Sequence, residues 1–391
     1  MTIHDVIVDM TTLDTPSRHR GIGRYVTGLC GALAERDPAD GLSIAALVRH
    51  RGKLAGAIDP TLRYGGDPNI HPSTWQYHRY KLERRLLLGG LARRTQARLL
   101  HLPDPYGTPL DMSVPRVATC HDLIPLIFHR DYFGVAGARL LQWARDLARY
   151  RTVQQVIAVS QSTKSDLVER LGLDPDRIDV IHHGVDHERF HTQAQPDERQ
   201  QAAEYLGFES PFLLYLGAAD ARKNVPLLIR AYGSSGLSPQ LPLVLAGPMT
   251  PGQRAGVDAA VAAEGLGDTV KIRGYVPEEL VPVLYRQCLV HLFPSAYEGF
   301  GLPVLEALAC GAPTVCSLGS SIGEVAGDAA LTVAQLESEP LAAAMVRLAQ
   351  DGELQASLRT RGLAQARRFT WQRCAEQTVR CYARALEASR R

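Results

Sequence analysis

The chain has 391 residues, 45% hydrophobic and 21% charged, with a formal net charge of +2 at pH 7. That length suits two folded domains, the composition excludes a disordered chain, and the small charge excludes nucleic acid as the general partner. Seven cysteines, at 30, 120, 288, 310, 316, 374 and 381, form no CxxC pair, which points to buried reduced thiols with no disulfide framework and no metal site. The start MTIHDVIVDM has no basic leader before an apolar core, and no apolar run reaches the roughly 18 residues that span a bilayer. The expectation is a cytoplasmic protein.

Strand patterns fall at residues 5–10, 42–48, 97–103, 116–122, 155–160 and 178–186, then at 212–217, 241–247, 270–276, 289–295 and 313–317. Short apolar strands alternating with helical patterns indicate parallel sheets covered on both faces. Two such sets in series predict an α/β chain with two Rossmann-like, doubly wound domains. A polar stretch with a proline at 187–201 marks the boundary. The expected domains are 1–192 and 193–369, with a C-terminal helix at 370–391 crossing back to the first. Ligands of such sheets bind beyond the carboxyl ends of the strands, so the residues that follow each strand, and a cleft between facing domains, are the places to search.

The glycine turn GIGRY (21–25) fails the dinucleotide pattern G-x-G-x-x-G, because position 26 is Val26. The next strand ends in Arg49 and His50 where an acid would hold a ribose, so a nicotinamide enzyme is disfavoured. Gly21, Gly23 and Arg24 still suit a phosphate or an acceptor approaching a helix start. Residues 76–100 carry seven Lys or Arg against one Glu, interleaved with leucines. They read either as a solvated basic helix or as a face that rests on anionic lipid beside a lipid-linked acceptor. His121 ends a strand, where a lone histidine is as readily structural as functional. Asp174-Pro175-Asp176 matches a D-x-D metal pattern, but its place in a proline turn favours turn chemistry.

Arg222 and Lys223 follow the strand at 212–217 and precede a helix. The chain has only 5 lysines against 38 arginines, so a lysine here carries weight. Fixed cations at a strand end would stabilise a departing diphosphate, and a solvated basic turn is the alternative. The stretch YEGFGLPVLEALACG (297–311) then places Glu298 on a loop and Glu306 on a helix, with Pro303 at its start and Gly311 as its cap. Its glycines let backbone approach a ligand, the helix start suits phosphate, and carboxylates suit vicinal hydroxyls. A bare E-x7-E more often describes solvated acids at a helix start.

In its full context, YEGFGLPVLEALACGAPTV resembles the E-x7-E segment of retaining glycosyltransferases of GT-B fold, glycosyltransferase family 4. SSIGEVAGDAAL, LGAADARKNVPLLIRAY, ATCHDLIPLIF, VIAVSQSTKSDLVERL, VIHHGVDHERF and GIGRYVTGL extend the likeness over most of the chain, in that family's order. The resemblance implies a nucleoside diphosphate sugar donor and no metal or other cofactor. It places Glu306 on the ribose, and Glu298 with the backbone of Phe300, Gly301 and Leu302 on the hexose and β-phosphate. Arg222 and Lys223 become the diphosphate clamp, His121 orients the donor sugar, and Gly217, Tyr275 and Val276 line the nucleotide. Many members carry Arg after the glycine at 217; here it is Ala218. GIGRY, HDLIPL and RKN look like bacterial mannosyltransferases of surface polysaccharide and lipopolysaccharide synthesis, so the expected donor is GDP-mannose and the acceptor a glycan or lipid-linked glycan. Alternatives of other classes are a sugar-nucleotide epimerase of the same fold and a sugar-nucleotide sensor without turnover.

Overall fold

A computed structural model describes residues 4–36, 41–50, 53–66, 74–105, 108–109, 113–129, 137–209 and 211–389. Contacts divide the chain into two units, Met1–Gly184 with Phe369–Arg391, and Val185–Arg368. The division falls eight residues before the expected 192, because the stretch after Gly184 already packs on the second unit. Phe190 meets the Tyr285 ring at 6.5 Å, and Arg189 pairs with Glu278 at 3.1 Å. Residues 390 and 391 of the expected last helix lie outside the described residues.

The first unit is a seven-stranded sheet: β1 (Val6–Asp9), β2 (Ile44–His50), β3 (Lys53–Asp59), β4 (Leu99–Leu102), β5 (Arg116–Cys120), β6 (Gln155–Ala158) and β7 (Ile178–Val180). Their order is β3-β2-β1-β4-β5-β6-β7, parallel except where β3 runs antiparallel to β2. β3, sequence KLAGAID, is absent from the sequence pattern: alanine, glycine and a terminal lysine lack the branched and aromatic side chains that mark a strand. The helix Trp371–Ala388 joins this unit, with Cys374, Ala375, Cys381, Tyr382, Ala385 and Leu386 buried in the same core as Tyr25 and Leu29 of helix Gly21–Ala34.

The second unit holds β8 (Leu213–Leu216), β9 (Leu243–Ala246), β10 (Val270–Arg273), β11 (Val290–Phe293), β12 (Thr314–Ser317) and β13 (Leu331–Val333). The order β10-β9-β8-β11-β12-β13 is wholly parallel, the doubly wound arrangement whose order reverses between β8 and β11. β13 spans three residues, too short for a period to show. The equivalent reversal in the first sheet lies between β1 and β4.

In the first unit that reversal is filled by the protein itself. Arg84, fully buried, donates through Nε to Asp9 Oδ2 at 2.8 Å, and through Nη2 to the same oxygen and to the Asp104 carbonyl at 2.9 Å. Thr12 donates to Asp104 Oδ2 at 2.8 Å, and the guanidinium lies 5.2 Å from the Tyr80 ring centroid. Of the basic residues expected on the surface of 76–100, Arg84 is therefore an internal anchor that fastens helix Thr74–Arg94 to the sheet. The side chains of residues 76–79 lie outside the described residues.

His291 on β11 is fully buried between Tyr285 and Phe293, and neither ring nitrogen has a hydrogen-bond partner. Burial pushes its pKa down to about 3. The unfolded chain takes up that proton near the ordinary value of about 6.5, so stability falls as pH drops below about 6.5 and keeps falling toward 3. His291→Phe removes the titrating group without stranding a partner. It should shift the urea midpoint upward more at pH 5.5 than at pH 7.5; equal shifts at both would refute the assignment.

Candidate active site

In the second unit the loops after β8 and β11 leave adjacent strands on either side of the reversal. They are laced together: Ala296 N donates to the Arg222 carbonyl at 2.7 Å, and Asn224 Nδ2 to the Pro294 carbonyl at 3.0 Å. Asn224 closes the turn Ala221–Lys223 in a left-handed conformation, φ +54°, which asparagine tolerates better than most residues.

This lacing delivers Arg222, Lys223 and Glu298 to one point. Lys223 Nζ lies 2.5 Å, Arg222 Nη1 2.6 Å and Ser295 Oγ 2.6 Å from the same oxygen, Glu298 Oε1. Arg222 Nη1 also donates to the Tyr297 carbonyl at 3.0 Å, and Nη2 lies 3.6 Å from Asp220. Burial alone would raise the Glu298 carboxyl, but Lys223 and Arg222 beside it, helped by the Ser295 hydroxyl, hold it below the usual carboxylate range. Burial draws the Lys223 ammonium below the ordinary lysine value against the pull of Glu298. Lys223 also stands 4.6 Å from the Phe293 ring centroid, a cation–π contact from β11.

The backbone of Glu298 is fixed as firmly as its side chain. Its N–H donates to Ser320 Oγ at 3.0 Å, and Ser321 Oγ donates to its carbonyl at 2.8 Å. Gly301 then starts helix Leu302–Ala309 at φ +100°, and Gly311 follows the helix at φ +74°. Both need glycine for the backbone angle. The side chains of Phe300 and Leu302 are buried, which leaves their backbone as the part that can meet a ligand. Glu306 is only 2% exposed and stands beside Cys310, whose thiol burial pushes up to about 12. Gly217 follows β8 with no room for more than a tight Cβ, 3.1 Å from Tyr215 Oη. Tyr275 is 64% exposed after β10, while Val276 is buried.

In the first unit, Gly23 lies so close to the Arg18 carbonyl that a Cβ would overlap it. Gly21 and Arg24 share that first helical turn. His121 follows β5 and donates through Nε2 to the Pro103 carbonyl at 2.7 Å. Burial lowers its pKa, against that bond and Asp104, so the ring is neutral at pH 7. Asp174 caps the turn Pro175–Arg177 by accepting from Asp176 N at 3.0 Å, as turn chemistry requires. Among the described residues no group of three or more His, Cys, Asp or Glu could hold a metal ion.

Sequence reasoning did not single out Ser295, Ser320 or Ser321. Ser320 has φ +55° and ψ −149°, close to a region reserved for glycine. Such strain beside a polar cluster is a mark of function that no residue type announces. Ser320→Gly removes both the strain and the Glu298 N–H acceptor, whereas Ser320→Ala loses the acceptor and keeps the strain. The glycine variant should be the more stable by about 1–2 kcal/mol; equal melting temperatures would show that Ser320 is unstrained.

Two family models and several known proteins match the chain. Residues 19–189 match the model described as Glycosyltransferase Family 4, and residues 197–365 the model Glycosyl transferases group 1. O-antigen chain mannosyltransferase B of Escherichia coli is 31% identical over 58% of this chain and 60% of its own. The serotype-specific mannosyltransferase WbdA of Escherichia coli is 29% identical over 70% of this chain and 34% of its own. The chain thus spans between a third and three fifths of the length of these relatives. Sucrose-phosphate synthase from Thermosynechococcus elongatus, at 21% identity, superposes with a TM-score of 0.75 over 97% of this chain and 98% of that one, which shows a shared fold.

Proposed function

We propose that the chain is a glycosyltransferase of family 4, the model its residues 19–189 match, and that it transfers a hexose, with retention of configuration, from a nucleoside diphosphate sugar to a glycan or lipid-linked acceptor. The observation that carries the reading is the convergence of Arg222, Lys223 and Glu298 beyond β8 and β11, at the strand ends where doubly wound sheets bind ligands. Two fixed cations with a glycine-started helix nearby suit a diphosphate. The mannosyltransferases among its relatives support GDP-mannose as donor.

In this reading Arg222 and Lys223 neutralise the leaving diphosphate, and backbone N–H groups at Phe300, Gly301 and Leu302 hold the β-phosphate. Glu298 accepts hydroxyls of the hexose, and the backbone at Tyr275 and Val276 receives the base; His121 keeps the sugar-orienting role that the resemblance gives it. The bond from the anomeric carbon to the β-phosphate oxygen breaks with its electron pair leaving on the phosphate. The acceptor oxygen attacks the same face, and its proton passes to the leaving phosphate. The side chains named here supply the charge stabilisation, and the route uses no metal.

A thermal-shift panel of GDP, UDP and dTDP with their sugars, run on wild type and Glu306→Ala, tests the donor. A nucleotide at about 100 times its Kd stabilises by about 2.7 kcal/mol. GDP and GDP-mannose should stabilise the wild type and lose their effect on Glu306→Ala. A shift by UDP alone would replace the donor, and an undiminished shift on the variant would remove Glu306 from the ribose. Lys223→Ala should cut kcat by about 100-fold or more, with a product of unchanged anomeric configuration by NMR.

The acceptor side points to lipid. Helix Thr74–Arg94 exposes Leu82, Leu86 and Leu87 beside Arg85 and Arg93. Helix Ala138–Arg151 exposes Leu140 (68%), Leu141 and Trp143 beside Arg139 and Arg145. Lys81 of the first helix stands within electrostatic reach of the second: burial lowers its pKa, Asp104 opposes this, and Arg149 and Arg145 add to the lowering. Exposed leucines and a tryptophan among arginines fit an anionic bilayer surface. Among the described residues no helix is long and apolar enough to cross one. The chain should float with phosphatidylglycerol vesicles at low salt, and Leu82→Glu with Leu140→Glu should abolish this; sedimentation free of vesicles would discard the membrane face.

A further inference from the structure

Behind His121 the first unit builds a column of rings that the reaction, as proposed above, does not use. Trp371 and His183 stack at 5.9 Å and 28°, and His183 and Tyr25 at 4.8 Å and 29°. His121 meets both Tyr25 and His183 edge-on, at 5.0 Å and 80° and at 5.7 Å and 62°. Tyr25 is fully buried, and its hydroxyl bonds Thr119 Oγ1 at 2.9 Å. Thr119 bonds His101 Nε2 at 2.9 Å, and His101 Nδ1 bonds the Tyr382 hydroxyl at 2.7 Å. The helix Trp371–Ala388 therefore reaches this cluster twice, through an indole and through a phenol.

The chain gives up local stability to admit the indole. Gly28 sits inside helix Gly21–Ala34, where glycine costs about 1 kcal/mol relative to alanine. A Cβ there would overlap the Trp371 ring, and a Cβ at Gly184 would overlap the Trp371 backbone. Two glycines from distant parts of the sequence thus make one slot.

We infer that Trp371 is a positioning residue for His121, holding its imidazole through His183 and Tyr25 in the Nε2–H tautomer with Nδ1 as the ring's acceptor. The Pro103 carbonyl can only accept, so the nitrogen that meets it at 2.7 Å carries the proton. A flip about Cβ–Cγ would carry Nε2 off the Pro103 carbonyl, so that the proton is no longer held on Nε2. It would also put Cδ2 where Nδ1 stood; the edge contacts from Tyr25 and His183 oppose it. His183 keeps its place because Trp371 and Tyr25 enclose it. Without the indole, His183 loses one face of its stack and the barrier to the flip falls. A hexose hydroxyl would then meet a carbon edge where it needs an acceptor. The inference rests on the role given to His121 under the proposed function.

The test joins kinetics with imidazole 15N spectra. In wild type, His121 should show the Nε2–H tautomer; in Trp371→Leu it should show a mixture. The same variant should lose about 10- to 100-fold in kcat, with donor KM changed by less than about 3-fold. Trp371→Phe, which keeps a stacking ring, should restore most of both. An Nδ1–H tautomer in wild type overturns the inference. So does a Trp371→Leu chain of native circular dichroism whose tautomer and kcat are unchanged. If Trp371→Leu does not fold, His183→Leu takes its place with the same expectations. His121→Ala separates the two readings: undiminished kcat there refutes the role of His121, while the tautomer of Trp371→Leu still decides whether Trp371 positions the ring.

Discussion

One carboxylate oxygen organises the second unit. Glu298 Oε1 accepts from Lys223, Arg222 and Ser295, and because these groups come from two loops, they reinforce the backbone lacing that fixes one loop against the other. Removing a cation and a carboxylate from water costs several kcal/mol each, and a lone pair of them seldom recovers it. Here the carboxylate has three donors on one oxygen, and the loops beneath are fastened by Ala296 and Asn224. Enough bonds converge for two nearly buried charged residues, Lys223 and Glu298, to stand at a strand end without separating. The strain at Ser320 belongs to the same cost, since that residue holds the Glu298 N–H.

The first sheet has the same reversal of strand order and puts it to the opposite use. At the ends of β1 and β4 stand Asp9 and Asp104, and Arg84 from helix Thr74–Arg94 bonds the carboxylate of the first and the backbone carbonyl of the second. The charges after β8 and β11 gather on one carboxylate oxygen at the strand ends, and those after β1 and β4 close inward as an anchor. The consequence is mechanical: a helix whose outer side exposes Leu82, Leu86 and Leu87 is locked to the sheet by a fully buried ion pair on its inner side. Exposed leucines on a frayed helix would collapse inward, whereas on an anchored helix they must stay out.

Much of this was legible in the sequence, for identifiable reasons. Strands whose residues are apolar throughout, such as LLYL and VHLF, announce themselves because both faces are covered. β3 does not, since its alanines and glycine carry no such signature. The grouping of Arg222, Lys223 and Glu298 was legible as three polar residues placed after strands. Their mutual bonding was not, because 75 residues separate Lys223 from Glu298 and only the strand order makes them neighbours. The stretch 76–100 showed its charge but concealed which arginine was structural. The ring column was least legible, since Tyr25, His121, His183 and Trp371 come from four separate segments and none is a rare residue in its local pattern.

The bonding of Glu298 also constrains how tightly the proposed leaving group can be held. A diphosphate beside Arg222 and Lys223 meets cations that already share a carboxylate, so part of its attraction replaces bonds the protein has made for itself. The net gain is smaller than the same cations would give if they were solvated alone, because the competing anion is built in and close-fitting. That lowers ground-state affinity for a nucleoside diphosphate. The clamp keeps its geometry throughout, so the charge that grows on the departing phosphate meets donors needing no reorganisation. Weak holding of the ground state with fixed donors for developing charge is the combination that raises turnover over mere binding. An acidic residue that looks, by simple Coulomb reasoning, like an obstacle to anion binding is on this account what keeps the cations in place and the product from lingering.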